Sequence, residues 1–384
     1  MPSKRILIVF PYGNLAYSPT TLEICQLLIS HGHKVKLIYG FEEFWGERVP
    51  PLSGVDLESR SYSHTTIRVG KHINKFLWQP ISKFLQRLSI LNLYNRLSVR
   101  EILFSSIVKK ALRENVFDEL IVVDLLPLYW AHQLGIKCHL ISLEVDDALQ
   151  LLDRLDIRKI KSVVIQSNER FERILGKADI RHFLIQNAPT YSTPATRTRP
   201  SKKLIYNGTV WPPFGALDMI RFVKAFPEYS LHLKGNVHKR TKADLDSIYR
   251  PLVSSGSLTY SDTYLNNQQL REYLANYSIG FCLYNFADPL IAERRFNYET
   301  APSGKVFLYL SIGMPVVATR IRGFDFIEQR AAGVLIDDHE PGTIRLAVDT
   351  ILNDYETFSN NALALGKDFS FDAQAKPFID FISQ

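Results

Sequence analysis

The sequence predicts an α/β protein made of two doubly wound domains. A chain of 384 residues is too long for one hydrophobic core of ordinary size, and its 46% hydrophobic and 22% charged content is typical of a globular protein. Short apolar runs of strand length alternate with helical patterns along the chain, which indicates parallel sheets flanked by helices. A stretch without apolar periodicity lies near the middle, so the two halves are predicted to fold separately.

Residues 4–40 are predicted to form the first α/β unit. The apolar run Arg5–Phe10 predicts a buried strand, and the turn after it contains Gly13. Ser18 is predicted to cap the next helix, with Pro19 at its first position, before a second strand over Lys34–Tyr39. A dinucleotide-binding loop needs three glycines and this one has a single glycine, so nicotinamide and flavin cofactors are disfavoured.

The expected location is the cytoplasm. The opening residues lead directly into Ile6–Phe10, an apolar run shorter than the core of an export signal. The longest later apolar run, Leu120–Trp130, is interrupted by Asp124 and Pro127, so no membrane span is predicted. The cysteines are far apart and odd in number, which predicts buried thiols and neither a disulfide frame nor a metal site. They are Cys25, Cys138 and Cys282.

Residues 64–113 carry a strong local positive charge. This window has ten Lys or Arg residues and one acid, Glu101, so its charge exceeds the +7 of the whole chain. Two interpretations are open: surface helices with solvated basic side chains, or an interfacial surface against anionic lipid, where each such side chain contributes about 1 kcal/mol. Nucleic acid is not a predicted partner, because the sequence lacks zinc-ligand spacing, a recognition-helix pattern and an aromatic sheet motif.

Three further strands complete the first predicted domain, residues 1–188. They are Asp118–Val123, Lys137–Leu143 and Ser162–Gln166. Glu144 and Asp146 directly follow the second of them, at the sheet edge where this class of fold keeps its ligands. Two interpretations of these acids are open: a catalytic base or sugar-orienting group, or caps for the helix that follows. Residues 189–202, rich in Pro, Thr and basic residues, predict a linker.

The second half of the chain begins another series of strands. These are Lys203–Tyr206, Tyr229–Lys234, Leu258–Tyr260 and Ile279–Tyr284, followed by a predicted polar loop over Asn285–Glu299. After the first strand come Asn207, Gly208 and Thr209. A glycine there lets the backbone approach a diphosphate closely.

The stretch Asn297–Gly323 predicts an anion site. A turn at Pro302-Ser303-Gly304 precedes the helical pattern Lys305–Leu310, and a strand returns after Gly313. The first N–H groups of such a helix are unpaired and lie at its positive dipole end, and Lys305 adds a full charge. The predicted phosphate ligands on this turn are Ser303, Gly304, Lys305 and Val306.

This helix and strand, together with Tyr206-Asn207-Gly208-Thr209, resemble the nucleotide-sugar-binding domain of glycosyltransferases with the GT-B fold. The segment PSGKVFLYLSIGMPVVAT is most similar to the bacterial family-4-like enzymes. The resemblance covers the whole chain in layout and the C-terminal half in motif. It implies two Rossmann-like domains facing a central cleft: an acceptor-side domain over 1–188, a nucleotide-sugar-binding domain over 203–368, and a helix over 369–384 that crosses back.

The resemblance also implies donor contacts elsewhere in the chain. Gly13 and Asn14 would approach the donor phosphates, and Tyr264 would lie beside the nucleobase. Better-known relatives have two glutamates eight positions apart, of which Glu299 is near the first place. Leu308 occupies the second place, so Glu328 is the alternative candidate for the ribose contact.

Two more departures from the family pattern are visible. Where many relatives have a histidine that contacts the donor sugar, this chain has Glu144 and Asp146, and the Arg and Lys expected after Gly208 are replaced by Val210–Pro213. Because Glu144-x-Asp146 is a poor substitute for an Asp-x-Asp metal site, no metal is predicted to be required. No other cofactor is expected, since the nucleoside diphosphate sugar is a co-substrate.

The function implied by the resemblance is transfer of a hexose from a nucleoside diphosphate sugar, with UDP-sugars favoured, to a saccharide or lipid-linked acceptor. Such a reaction belongs to the synthesis of bacterial surface polysaccharide or glycoconjugates, and retention at the anomeric carbon is implied by the resemblance alone. Two alternatives stay open: a non-catalytic nucleotide-sugar-binding partner of a transferase, and a nucleotide-sugar epimerase. Residues 64–113 would hold the enzyme on the inner face of the membrane.

Overall fold

A computed structural model describes residues 2–10, 15, 18–42, 52–62, 99–143, 145, 149–192 and 200–384. The chain divides into two compact units: Met1–Ile185 with Ala375–Gln384, and Gln186–Gln374. In each unit one parallel sheet is flanked by helices. In the described part of the chain, every helix is too short or too polar to cross a lipid bilayer.

The first unit contains a seven-stranded parallel sheet in the order β3-β2-β1-β4-β5-β6-β7. Its strands are β1 Arg5–Phe10, β2 Lys34–Glu42, β3 Val55–Tyr62, β4 Glu119–Val123, β5 Cys138–Ile141, β6 Ile160–Ile165 and β7 His182–Leu184. The described helices are α1 Pro19–Ser30, α2 Val99–Glu114, α3 Leu125–Gln133 and α4 Asn168–Leu175, with 3-10 turns at Leu149–Arg154 and Ile157–Lys159. Central strands are buried on both faces, which explains their continuous apolar sequences.

The start of α1 differs in detail from the prediction. Pro19 is the first helical residue and Ser18 stands at the N-cap position, as expected. The Ser18 side chain makes no capping bond to the backbone, because its hydroxyl pairs with the Thr21 hydroxyl at 2.8 Å. The position of this serine was predictable, whereas the choice of its partner was not.

The second unit contains a six-stranded parallel sheet in the order β10-β9-β8-β11-β12-β13. Its strands are β8 Lys203–Asn207, β9 Ser230–Lys234, β10 Leu258–Ser261, β11 Ile279–Cys282, β12 Val316–Thr319 and β13 Gly333–Ile336. The strand order reverses between β8 and β11. In open α/β sheets, ligands bind beyond the carboxyl ends of the strands at such a reversal.

The helices of the second unit begin after β8. They are α5 Ala216–Ala225, α6 Lys239–Asp246, α7 Arg250–Ser254, α8 Asn267–Leu274, α9 Pro289–Ala292, α10 Arg295–Thr300, α11 Gly304–Ser311, α12 Asp325–Gln329, α13 Pro341–Asn353, α14 Tyr355–Asp368 and α15 Phe371–Ser383, with 3-10 turns at Pro212–Phe214 and Arg322–Phe324. The last ten residues of the chain, which include the end of α15, pack in the first unit, where the Ser383 hydroxyl pairs with His33 Nε2 at 2.8 Å.

The prediction of a polar loop over Asn285–Glu299 is wrong. This segment contains α9 and most of α10. Asp288 caps α9, because its carboxylate accepts the Leu290 N–H at 3.0 Å, and Pro289 takes the first helical position. The cap-and-proline signal was present in the sequence, but the polar composition around it obscured two helices of only four and six residues.

Several predicted features lie outside the described residues. These are Gly13, Asn14, Glu144 and Asp146, residues 193–199 of the linker, and residues 64–98 of the basic window. Within the described part of that window, the Lys109 ammonium lies 3.8 Å from the ring centre of Trp130, and Lys110 pairs with Glu114 at 3.7 Å. The membrane interpretation of the window stays a prediction.

Candidate functional site

The first turn of α11 lies at the reversal of strand order in the second sheet. Ser303 is the N-cap residue and Gly304 begins the helix. Val306, Phe307 and Leu310 are buried at helical spacing, which fixes the helix against the core. The Val306 N–H bonds to the Ser303 carbonyl at 2.9 Å, while the amides of Gly304 and Lys305 precede the helix's own i→i−4 pairing. The turn can therefore donate to an anion.

Lys305 extends from this turn to the end of β8. Its ammonium donates to the Tyr206 hydroxyl at 3.1 Å and lies 4.4 Å from the centre of the Tyr206 ring and 5.7 Å from that of Phe214. Among the described residues, no carboxylate forms an ion pair with it. A half-buried ammonium that contacts two aromatic faces and one hydroxyl, and no carboxylate in the described part of the chain, is well placed to receive an anionic ligand.

The groups around Lys305 are neutral at physiological pH. The Tyr206 hydroxyl donates to the Thr209 carbonyl at 2.9 Å, which leaves its lone pairs for Lys305. Burial raises the pKa of Tyr206 and Cys282, and it raises the pKa of Tyr284 well above its usual value. Lys305 is thus the charged side chain of this described group.

The loop after β8 is held by backbone contacts. Gly208 adopts φ 146°, a conformation that side chains disfavour, and its N–H bonds to the Lys234 carbonyl at 2.8 Å. The Asn207 N–H donates to the Tyr309 hydroxyl at 2.7 Å, which ties the loop to α11. A Cβ on Gly208 would lie 3.1 Å from the Lys305 ammonium. The loop therefore brings bare backbone to the ammonium, as the sequence predicted for a phosphate site.

An aromatic cluster takes the place of the missing basic residues after Gly208. Trp211 stacks on His238 with ring centres 5.1 Å apart, and Phe214 lies 6.3 Å from Trp211. Phe214 and Tyr206 were not predicted as site residues, although they flank Lys305. The available signal was an aromatic residue at the end of a strand, immediately before Asn-Gly-Thr.

Other predicted donor contacts are dispersed. Tyr264, 86% exposed, follows a loop whose Thr263 carbonyl accepts a hydrogen bond from the buried Lys234 ammonium. Glu299 pairs with Arg295 at 2.7 Å. Glu328 forms two hydrogen bonds with Arg320, at 2.6 and 3.0 Å. The described residues thus bring Gly208, Ser303 and Lys305 together, while these two acids are each engaged by an arginine.

The described residues around Glu144 and Asp146 define the end of β5. The Leu143 N–H donates to Asp124 Oδ1 at 2.7 Å, and the Leu143 carbonyl accepts from the buried Arg170 at 2.9 Å. Asp124 itself has φ 62°, which is uncommon for a residue other than glycine. In the described ranges, no group of three or more His, Cys, Asp or Glu side chains is placed to hold a metal ion.

No protein-family model matches the chain, and no curated protein matches it. Solved structures do. Anabaena HepE, in complex with UDP and glucose, is 12% identical with a TM-score of 0.63 over 99% of this chain and 100% of that one. The α,α-trehalose-phosphate synthase (UDP-forming) of Burkholderia xenovorans, in complex with glucose-6-phosphate, is 10% identical with a TM-score of 0.62 over 100% of both chains.

A third similar structure is trehalose-6-phosphate synthase OtsA, 10% identical with a TM-score of 0.63 over 100% of this chain and 99% of that one. At such identities the similarity is one of fold. Because it extends over both parallel sheets and nearly the full length of each protein, the predicted fold class is confirmed: the chain has the two parallel-sheet α/β domains of the GT-B fold.

Proposed function

We propose that this protein is a retaining, family-4-like glycosyltransferase that moves a hexose from a nucleoside diphosphate sugar to a saccharide or lipid-linked acceptor. The observation that carries the proposal is the position of Lys305, on the first turn of α11, where the strand order reverses, without a carboxylate partner among the described residues. The similar structures that hold UDP and glucose, or glucose-6-phosphate, support a nucleotide-sugar reaction.

The chemistry requires stabilisation of the diphosphate as the glycosidic bond breaks. In this proposal, the amides of Gly304 and Lys305 and the Lys305 ammonium receive the phosphate oxygens on which negative charge develops. Gly208 allows the β8 loop to approach them. Since these groups are fixed by α11 and β8 before any ligand arrives, little reorganisation is needed in the transition state.

The finer parts of the proposal rest on the sequence. We favour UDP as the nucleotide, Glu144 or Asp146 as the base that accepts the acceptor proton, and no required metal. The setting would be bacterial surface polysaccharide or glycoconjugate synthesis in the cytoplasm, with residues 64–113 on the inner face of the membrane. Gly13, Asn14, Thr209, Tyr264, Glu299 and Glu328 remain proposed donor contacts.

Thermal stabilisation by nucleotides tests the donor site. Wild type, Lys305→Ala and Lys224→Ala are each melted with millimolar UDP, GDP, ADP, dTDP and CMP, because a ligand specific for the folded state raises the melting temperature by mass action. Lys224 is an exposed lysine of α5 and serves as the matched control. We expect UDP to stabilise wild type and Lys224→Ala and to fail on Lys305→Ala.

Stabilisation by none of the nucleotides would remove the main support for a donor site. Product analysis then separates the functional classes. Wild type incubated with the matching nucleotide sugar and a panel of saccharide and lipid-linked acceptors should form a new glycosidic bond. Binding without turnover would favour a non-catalytic partner protein, and an epimerised donor would favour an epimerase.

A further inference from the structure

A chain of hydrogen bonds connects four residues across the carboxyl edge of the second sheet. The Tyr284 N–H donates to Thr319 Oγ1 at 2.8 Å, Thr319 Oγ1 lies 2.8 Å from His339 Nε2, and His339 Nδ1 lies 2.9 Å from Asp218 Oδ2. We refer to Tyr284, Thr319, His339 and Asp218 as the Thr319 relay. Tyr284, Thr319 and Asp218 are buried, and the His339 side chain is 13% exposed.

Two of these hydrogen bonds have a fixed direction. The Asp218 carboxylate can only accept, so it accepts from His339 Nδ1 as it does from Arg221, and the Tyr284 N–H can only donate, so Thr319 Oγ1 accepts it. When Nε2 carries no proton, the Thr319 hydroxyl donates to it. Each member therefore depends on its neighbours for its orientation.

The relay ends at the residue that supports the candidate anion site. Tyr284 belongs to the buried apolar cluster that includes Val306, Phe307 and Leu310 of α11, so its position and the position of that helix depend on each other. Its ring packs against Phe214, with ring centres 6.3 Å apart, and Phe214 faces the Lys305 ammonium. Displacement of Tyr284 would thus disturb both the helix turn that carries the amides and the aromatic face beside the ammonium.

We infer that Thr319 and His339 are positioning residues, which hold Tyr284 so that the Ser303-Gly304-Lys305 turn is preorganised for a nucleoside diphosphate. The identity of the ligand rests on the proposed function, whereas the mechanical link rests on the contacts alone. Thr319 is the last residue of the segment that resembles the glycosyltransferases, and His339 lies outside that segment. The loop after β13 thereby has a role in the site, because its His339 hydrogen-bonds with Asp218 of α5.

The test is a pair of nearly isosteric substitutions at one position. Thr319→Ser keeps the hydroxyl, and Thr319→Val removes it and leaves the Tyr284 N–H and His339 Nε2 without their partner. The Kd of the stabilising diphosphate is measured by titration calorimetry, and the melting temperature is measured without ligand. We expect Thr319→Val to raise the Kd by about tenfold or more and Thr319→Ser by less than about twofold, since misplaced charged hydrogen bonds weaken binding at that scale.

A His339→Gln variant, which retains one of the two relay contacts, should have an intermediate Kd. A lower melting temperature for Thr319→Val with an unchanged Kd would overturn the inference, because the relay would then serve stability alone. If Thr319→Val does not fold, His339→Gln and His339→Leu provide the same comparison, and equal Kd values for these two and wild type would overturn it.

A failure of this inference can be told apart from a failure of the proposed function. If wild type binds no diphosphate, the ligand assignment fails, and the mechanical link is tested by hydrogen exchange at the Val306 amide, which bonds to the Ser303 carbonyl at 2.9 Å. Thr319→Val should then speed exchange at this amide by roughly tenfold relative to Thr319→Ser, since weaker packing of the turn increases local opening. Unchanged exchange would overturn the link as well.

Discussion

The carbonyl oxygen of Gly208 lies 2.1 Å from the position that a Cβ atom would occupy on Gly235. The two glycines follow the neighbouring strands β8 and β9, with φ values of 146° and 128°. The Gly235 N–H bonds to the Ser261 carbonyl at 2.8 Å, so the same arrangement continues to β10. The backbone after β8 therefore packs directly against the backbone after β9, and Gly208 of this pair also lies beside Lys305.

Gly235→Ala is expected to displace the β8 loop. The added methyl group would overlap the Gly208 carbonyl, and an L-residue is also strained at this φ, so the free energy of unfolding should fall by about 2 kcal/mol or more. Because Gly208 would move away from Lys305, affinity for the stabilising diphosphate should also fall by roughly tenfold. Urea denaturation and titration calorimetry measure the two effects.

The matched control is Gly256→Ala. Gly256 has φ 77° and no atom within 4 Å of the Cβ position, so the substitution introduces backbone strain without a steric overlap. Gly256→Ala should lower the free energy of unfolding by about 1 kcal/mol and leave the affinity for the diphosphate unchanged. Equal losses of stability for the two variants would show that the contact between Gly208 and Gly235 does not constrain the loop.

Lys305→Ala is expected to lower turnover of the nucleotide sugar by a factor of roughly 10² or more, by analogy with the loss of one charge-stabilising donor. The physical reason is that Lys305, which forms no ion pair with a carboxylate among the described residues, stabilises the diphosphate most strongly once negative charge develops on it in the transition state. Initial rates of nucleotide release measure the effect, with Lys224→Ala as control. Wild-type turnover in a folded Lys305→Ala protein would exclude Lys305 from the mechanism.

The strands and α11 were predictable because their signals are local. Buried parallel strands have uninterrupted apolar sequences, such as Ile6–Val9, and α11 is bounded by Pro302-Ser303 and by Gly313. The contacts that complete the site are not local. Tyr206 and Lys305 are 99 positions apart, and Asp218 and His339 are 121 apart, so no periodicity in the sequence brings either pair together.

The acidic candidates show a second limit of local inference. Glu299 is a candidate because it lies near the first of the two glutamate places in the resembling family, but Arg295, four residues earlier on the same helix, pairs with it at 2.7 Å. The four-residue spacing is visible in the sequence. It indicates an ion pair only where the segment is helical, and the sequence predicts a loop there. Glu328 meets Arg320, the residue after β12, because α12 packs against β13 and the 3-10 turn Arg322–Phe324.

All three cysteines are expected to be unreactive in the folded protein. Cys25, Cys138 and Cys282 are fully buried, and burial raises the pKa of Cys25 and Cys138 to about 12. The thiolate, which is the reactive form, is therefore both rare and inaccessible. Ellman's reagent at pH 8 should label none of them in the native protein and all three in guanidinium. Rapid labelling of any one would show that its surroundings open on the timescale of the assay.

Acid is expected to destabilise the first unit through His132. Its side chain is buried, neither ring nitrogen has a hydrogen-bond partner among the described residues, and burial together with nearby Lys159 lowers its pKa from 6.5 to about 4. The unfolded chain binds a proton at this residue below about pH 6.5, whereas the folded chain does not until about pH 4. His132 therefore does not lower the free energy of unfolding above pH 6.5. As the pH falls from 6.5 toward 4, protonation of the unfolded residue lowers that free energy progressively.

His132→Leu isolates this contribution. The substitution removes a buried imidazole that has no hydrogen-bond partner among the residues described, so the variant should be at least as stable as wild type at pH 7. Between pH 6.5 and 4 wild type should lose roughly 3 kcal/mol more than the variant, since each unit of pKa difference corresponds to about 1.4 kcal/mol. Urea denaturation at half-unit pH intervals measures both curves. Parallel curves would contradict the prediction, because they would mean that folded His132 binds its proton as readily as the unfolded residue does.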